Sequence, residues 1–258
     1  MRGATLFCLA LSVLALRPAA AVVIDPSQSA GSVPGVAGSG LSGSYYKFAP
    51  SVTYVVSLSQ ANQLMAADGG PTATFSTNTV CFPDCSGDTV SDSSSLNTLL
   101  NGNVSNFSYT VPGTTVTSLN YAAMVVTGYI AITQAGSYTF HLGSDDGSEL
   151  VIGGQAVVMD DDVHSFTTDT GSASFAAAGL YAISIEYFEN SGVTGLDLWA
   201  SQDSTGQCFI GRNANCGGMA STSAFYTSAS APEPGTLGLF AIGLLALGFA
   251  GRFLRVAV

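Results

Sequence analysis

The densest chemistry in the chain sits in five consecutive residues, Ser144-Asp145-Asp146-Gly147-Ser148. Adjacent carboxylates repel each other unless a cation or strong hydrogen-bond donors lie between them. A hard cation such as Ca²⁺ takes about six to eight oxygens and accepts carboxylates, amides and backbone carbonyls together. A second short segment, Glu189-Asn190-Ser191-Gly192, offers an amide oxygen and carbonyls on a flexible turn. The carboxylate spacing of an EF-hand loop is absent around Asp145.

Other reactive groups are weighed against plainer roles. Asp160-Asp161-Asp162 with His164 could hold a second cation, but their place after a hairpin reads as an exposed, solvated turn. His141 alternates away from the apolar face of its strand, as a surface histidine does. Trp199 could stack against a sugar or pack at a core edge. Glu186 and Glu189 are the nearest thing to a catalytic carboxylate pair. Residues three apart in a strand point to opposite faces, and glycosidase chemistry needs its carboxyls about 5–10 Å apart across a cleft. No Ser or Cys is recognisably paired with a base, so the residues predict a non-catalytic protein.

These residues need strands to position them, and strand signals dominate the middle of the chain. Tyr138, Phe140 and Leu142 alternate with Thr139 and His141. Leu150 and Ile152 lead into Gly153-Gly154, and Ala156 and Val158 follow, the pattern of a hairpin with a two-residue turn. Tyr181, Ile183, Ile185 and Tyr187 form one apolar row, and Leu196, Leu198 and Ala200 another. Residues 121–133 make a further long strand, and 58–67 the one plausible helix. Many short strands with Gly-rich turns predict an all-β fold, an antiparallel sandwich or barrel. The domain is expected over 40–203, with a flexible Ser/Gly/Pro-rich leader at 22–39, a surface insertion at 76–118 and a Cys-containing linker at 204–231.

Charge narrows the partners. Between Val22 and Ala231 the only basic residues are Lys47 and Arg212, against sixteen Asp and Glu. Such a chain repels phosphate backbones, which excludes nucleic-acid binding. Residues 1–21 read as a secretory signal peptide, with Arg2, an apolar run from Leu6 to Leu16 and small residues up to Ala21. The remaining Cys81, Cys85, Cys208 and Cys216 then belong to an exported chain, where disulfides are expected. The local pairs Cys81–Cys85 and Cys208–Cys216 are favoured because each closes a short loop; a four-Cys zinc site is the rival, though neither spacing is a strong zinc signature.

At the C-terminus, Pro232-Glu233-Pro234 precedes an apolar run from Leu237 to Gly251, then Arg252 and Arg255. Fifteen helical residues reach only about 22 Å, against a hydrocarbon core of roughly 30 Å. The arrangement resembles the PEP-CTERM sorting signal of exopolysaccharide-producing Gram-negative bacteria. That resemblance implies processing of 232–258 by an exosortase-type membrane enzyme, transient anchoring in the inner membrane, and a mature domain at the cell surface or in the extracellular matrix. An ordinary transmembrane anchor would place the domain on the same side.

Three blocks resemble the protective-antigen-type β domain: Gly40 to Tyr46 as its opening strand, Phe140 to Val158 as its Asp-Asp-Gly hairpin, and Gly179 to Trp199 as its closing strands. In the adhesin members of that family, an Asp-Asp pair joined by a cis peptide and an Asn on a second loop hold a calcium ion that binds sugar hydroxyls. Carried over, the resemblance implies Asp145 and Asp146 as carboxylate ligands, Asn190 as the amide ligand, and carbonyls near Gly192 and Thr194 completing the shell. The loop after Asn190 lacks an aromatic residue, and the adhesins' sugar-gripping loops have no recognisable equivalent. The expected function is a calcium-dependent, adhesin-like carbohydrate-binding module for a glycan or exopolysaccharide. The alternative is a structural exopolysaccharide-matrix or surface protein with no small ligand.

Overall fold

The computed structural model describes residues 20–35, 38–210 and 224–229 of the chain. The expected signal peptide, apart from Ala20 and Ala21, and the expected sorting tail at 232–258 lie outside them. The described strands in chain order begin with β1 (Val22–Ile24), β2 (Ser29–Gly31), β3 (Leu41–Lys47), β4 (Ala73–Thr77), β5 (Cys81–Phe82), β6 (Val90–Ser91) and β7 (Ser105–Tyr109). The long strands follow: β8 (Ala122–Ile132), β9 (Gly136–Asp145), β10 (Ser148–Ile152), β11 (Gln155–Asp160), β12 (Thr167–Phe175), β13 (Gly179–Glu189) and β14 (Val193–Gln202). Two short strands close the set, β15 (Gln207–Ile210) and β16 (Phe225–Tyr226), and two helices interrupt it, α1 (Leu58–Ala67) and α2 (Leu96–Leu100).

The alternating apolar rows become the inner faces of two sheets. The first runs β1-β12-β9-β14-β15, with β5 and β6 also pairing β14. The second runs β11-β10-β13-β8-β3-β4-β7, with β16 on β8 and β2 on β13. Both sheets are open, so the architecture is a sandwich and the barrel expectation is set aside. Pairing is antiparallel throughout the long strands; β1 on β12 is parallel. Aromatic contacts join the sheets across the core. Phe175 meets Tyr181 edge-on at 5.0 Å between ring centres, and Phe75 meets Phe82 at 5.8 Å. Gly43 permits this packing, because a Cβ there would sit 2.2 Å from the Phe75 ring.

The hairpin turn falls at Gly153-Gly154 as expected, with φ of +57° and +77°, the left-handed pair that a tight antiparallel turn needs. Helix α1 also spans the expected residues, its start capped by the Ser57 hydroxyl accepting from Gln60 N at 3.2 Å.

Three segments depart from expectation. The described part of the leader at 22–39 is not free: β1 adds to the edge of the first sheet, β2 pairs β13 in the second, and Ile24 is fully buried. An Asp25–Gln28 capping box fixes the short 3₁₀ turn between them. The segment 76–118 is not a surface excursion, since Val80, Phe82, Leu96, Leu99, Leu100 and Val116 all enter the main core. Its Ser and Asn residues serve turns and caps, such as Ser95 at the start of α2 and left-handed Asn101 at its end. The described parts of 204–231 also pack: β15 pairs β14, and Phe225 and Tyr226 are buried on β8. Cys81 and Cys85 are bonded to each other. Cys208 is disulfide-bonded as well; the expected pairing with Cys216 reaches a residue outside those described.

Candidate functional site: a carboxylate corner at one end of the sandwich

Two turns meet at one end of the sandwich. The first, 146–147, joins β9 to β10; the second, 190–192, joins β13 to β14. Ladder pairing sets Asp145 opposite Gly195, and Phe188 N donates to Gly147 O at 3.0 Å, so the two turns lie side by side. Gly147 is required by space: a Cβ would come within 2.5 Å of the Phe188 ring and 2.7 Å of the Asp160 carbonyl. The Asp145–Asp146 peptide is cis.

Three carboxyls converge here. Ligand oxygens of Asp145, Asp146 and Glu189 lie within 4.8 Å of one another, the one such group of three among the described residues. All three side chains are buried. Backbone amides from two loops hold Asp146, with His164 N donating to Oδ1 at 3.0 Å and Asn190 N to Oδ2 at 2.7 Å. Two oxygens, Asp145 Oδ2 and Glu189 Oε1, have no hydrogen-bond partner.

Burial raises all three acids. Desolvation, then the Asp146 charge, pushes Asp145 up to about 6. Desolvation also raises Asp146, against the pull of the Asn190 and His164 amides. Glu189 is pushed up to about 9 by burial, opposed by the hydroxyls of Tyr187 and Thr194 and reinforced by the two aspartates. The Tyr187 hydroxyl touches the Asp145 carbonyl and lies 2.8 Å from Glu189 Oε2. A phenol has one proton, so both contacts are satisfied together when Glu189 carries a proton of its own. A cation among these oxygens would replace that proton.

The corner differs from the expected ligand set in its third side chain. Asn190 is present, but through its backbone amide; its side-chain oxygen accepts from Val55 N at 3.1 Å. Gly192 lies in the neighbouring turn, where its carbonyl accepts from Asp92 N at 3.0 Å. Thr194 is buried against Glu189. Membership of Glu189 in the carboxyl cluster does not follow from strict alternation, which assigns it a face opposite Glu186 and nothing more. The signal was the break in alternation at the strand end, where Tyr187, Phe188 and Glu189 are all buried.

The remaining candidates are dispersed. His164 pairs with Asp160 at 2.8 Å, while Asp161 caps the start of α1 through Leu58 N. His141 and Trp199 stack on the outer face of the first sheet, 3.4 Å between ring centres and 9° between planes, and His141 Nδ1 lies 3.0 Å from the Thr170 hydroxyl. Glu186 and Glu189 point to different surroundings, the first toward Glu149 and Asn62, the second into the corner.

Two open, mainly antiparallel sheets with an acid-lined corner between neighbouring turns define a β-sandwich domain. The chain carries a PA14 domain and a PEP-CTERM protein-sorting motif: the PA14 domain profile matches residues 83–206 and the sorting motif residues 230–255. Strands β3 and β4 precede the matched region yet belong to the same sandwich. Among solved structures, the PA14 domain of the MpAFP antifreeze protein is similar at 20% identity and TM-score 0.59, covering 78% of this chain and 97% of that one. A PA14 sugar-binding domain from an RTX adhesin is similar at 22% identity and TM-score 0.52, covering 67% and 95%. A subtype-switched Epithelial Adhesin 9 A domain from Candida glabrata, solved with beta-lactose, is similar at 12% identity and TM-score 0.52, covering 83% and 98%. At these identities the likeness is one of fold. No curated protein sequence matches the chain.

Proposed function

We propose that this protein is an exported, surface- or matrix-associated carbohydrate-binding module whose sugar site is organised by calcium. The observation that carries the reading is the convergence of Asp145, Asp146 and Glu189, buried and within 4.8 Å of one another, with two carboxylate oxygens unpartnered. Three acids so placed are unfavourable as bare anions, and a hard cation with oxygen preference fits their donor set. Asp145, Asp146 and Glu189 would hold it, and the ion would supply open coordination positions for a pair of sugar hydroxyls. Two of the similar solved domains are described as sugar-binding or lactose-bound, which supports a glycan as the ligand class here. The sorting motif supports processing by an exosortase-type enzyme, passage through a transient inner-membrane anchor, and display outside a Gram-negative cell.

The test is calcium titration of the full chain by calorimetry, with Asp145→Ala alongside. Stoichiometric heat that disappears in the variant, followed by calcium-dependent signals on a glycan array, is the expected outcome. Absence of heat in both proteins would overturn the calcium site and leave an acidic matrix spacer without a small ligand.

A further inference from the structure

A groove on the outer face of the second sheet lies apart from the carboxylate corner. It encloses about 480 Å³, within the usual range for a small-ligand site. Its floor follows from strand alternation. Thr127 on β8, Ser184 on β13 and Val151 on β10 stand in register, with Tyr129 one outward step away. No charged side chain lines it, in a chain of net charge −11.

One outward step in the other direction, the same face carries Glu186 on β13 directly opposite Glu149 on β10. Side chains so paired have Cβ atoms about 4.5–5.5 Å apart. Helix α1 closes this end, where Asn62 hydrogen-bonds Glu186, and Asp161 adds a third negative charge behind the pair. Glu186 Oε1 is buried without a hydrogen-bond partner. Among the described residues the one Lys or Arg is Lys47, whose ammonium is committed to Asn120, so the described residues supply no Lys or Arg counter-charge here. Burial and the Glu149 charge push Glu186 up to about 7.

We propose that this groove and the acid pair beside it together bind a short amine-bearing oligosaccharide, with its ammonium at Glu149 and Glu186, its hydroxyls along Thr127 and Ser184, and a ring face toward Tyr129. An ammonium fits better than a metal ion. The backbone carbonyls around the two glutamates are spent in the sheet ladder, so a metal shell would lack its remaining oxygens. From Val125, the residue paired with Glu186, to Tyr129 is about 13 Å along the strand, a span that suits more than one sugar ring. Uncharged hydroxyls and an aromatic ring beyond the acid pair favour a sugar chain over a peptide, which would find no backbone edge there to pair with.

The test is titration of the full chain with a glucosamine trimer and its N-acetylated counterpart, in chelator and at neutral pH. The free amine is expected to bind, and the acetylated trimer to bind at least about ten-fold more weakly. Glu186→Gln is expected to weaken amine binding about ten-fold, and Asp145→Ala to leave it unchanged. Equal affinity for the two trimers, no binding of either, sensitivity to Asp145→Ala, or an equally tight lysine trimer would each overturn the proposal. Should Glu186→Gln fail to fold, Thr127→Trp, at an exposed position on the floor, decides: blocked binding supports the groove, and unchanged binding overturns it.

Discussion

The carboxylate corner and the outer-face groove use the same residue type in opposite ways. At the corner, Asp145, Asp146 and Glu189 stand at strand ends, and backbone amides of His164 and Asn190 fix Asp146. Beside the groove, Glu149 and Glu186 pair within the β10–β13 ladder, and Glu186 meets the side-chain amide of Asn62. Main-chain donors cannot rotate away, so the corner has one geometry and suits a small ion. Side-chain surroundings can adjust, so the groove suits a larger and softer cation. Position within the ladder, more than charge, separates the two.

The most damaging way to break this comparison is Gly147→Ala. The added methyl meets the Phe188 ring and the Asp160 carbonyl, an overpacking that costs about 1–3 kcal/mol, and the two turns must part. Thermal melting should fall by several degrees and calcium heat should vanish, while amine binding in the groove persists. Next, Glu189→Gln should weaken calcium at least about ten-fold in calorimetry, whereas Asn190→Ala should cost far less, because the Asn190 contact to the corner is made by its backbone. The reverse ranking would restore Asn190 as the third ligand.

A pH series sharpens the contrast away from the ion. Asp197, buried under Gly87 N at 2.8 Å, and Glu186 are each pushed up to about 7 from ordinary values of 3.8 and 4.5. The folded chain therefore binds more protons than the unfolded chain between those limits. Their contribution is full below about pH 4 and is lost as pH rises through about 7. Denaturant unfolding in chelator should show stability falling over that window, with a shallower fall in Asp197→Asn. The smallest effect expected is that of Glu149→Gln on amine binding, a few-fold at most, because Glu149 is the more exposed member of its pair.

Much of the fold was legible where apolar residues alternate over many positions, as in 138–142 and 181–187, and where turn chemistry is explicit, as at Gly153-Gly154. It was not legible at 22–24, 81–82 or 225–226. Strands of two or three residues carry no period, and their pairing depends on partners distant in sequence. Polar caps and turns in 76–118 masked the sparse Leu and Phe positions that fill the core. At the corner, Asp145 and Asp146 announce themselves by adjacency. That the Glu189 side chain turns into the corner depends on which way a strand end curls, where Glu189 packs against Tyr187 and Thr194.

Strand β16 has a mechanical consequence. The chain leaves the described domain just after a two-residue ladder on β8, whereas β8 is held to β13 over eleven residues. Tension applied through the C-terminal side is therefore met first by this short seam. Phe225, buried and bonded through its carbonyl to Gly40 N, and Thr227, whose N donates to Ser39 Oγ, pass that load to the strand β3 end of the sheet as well as to β8.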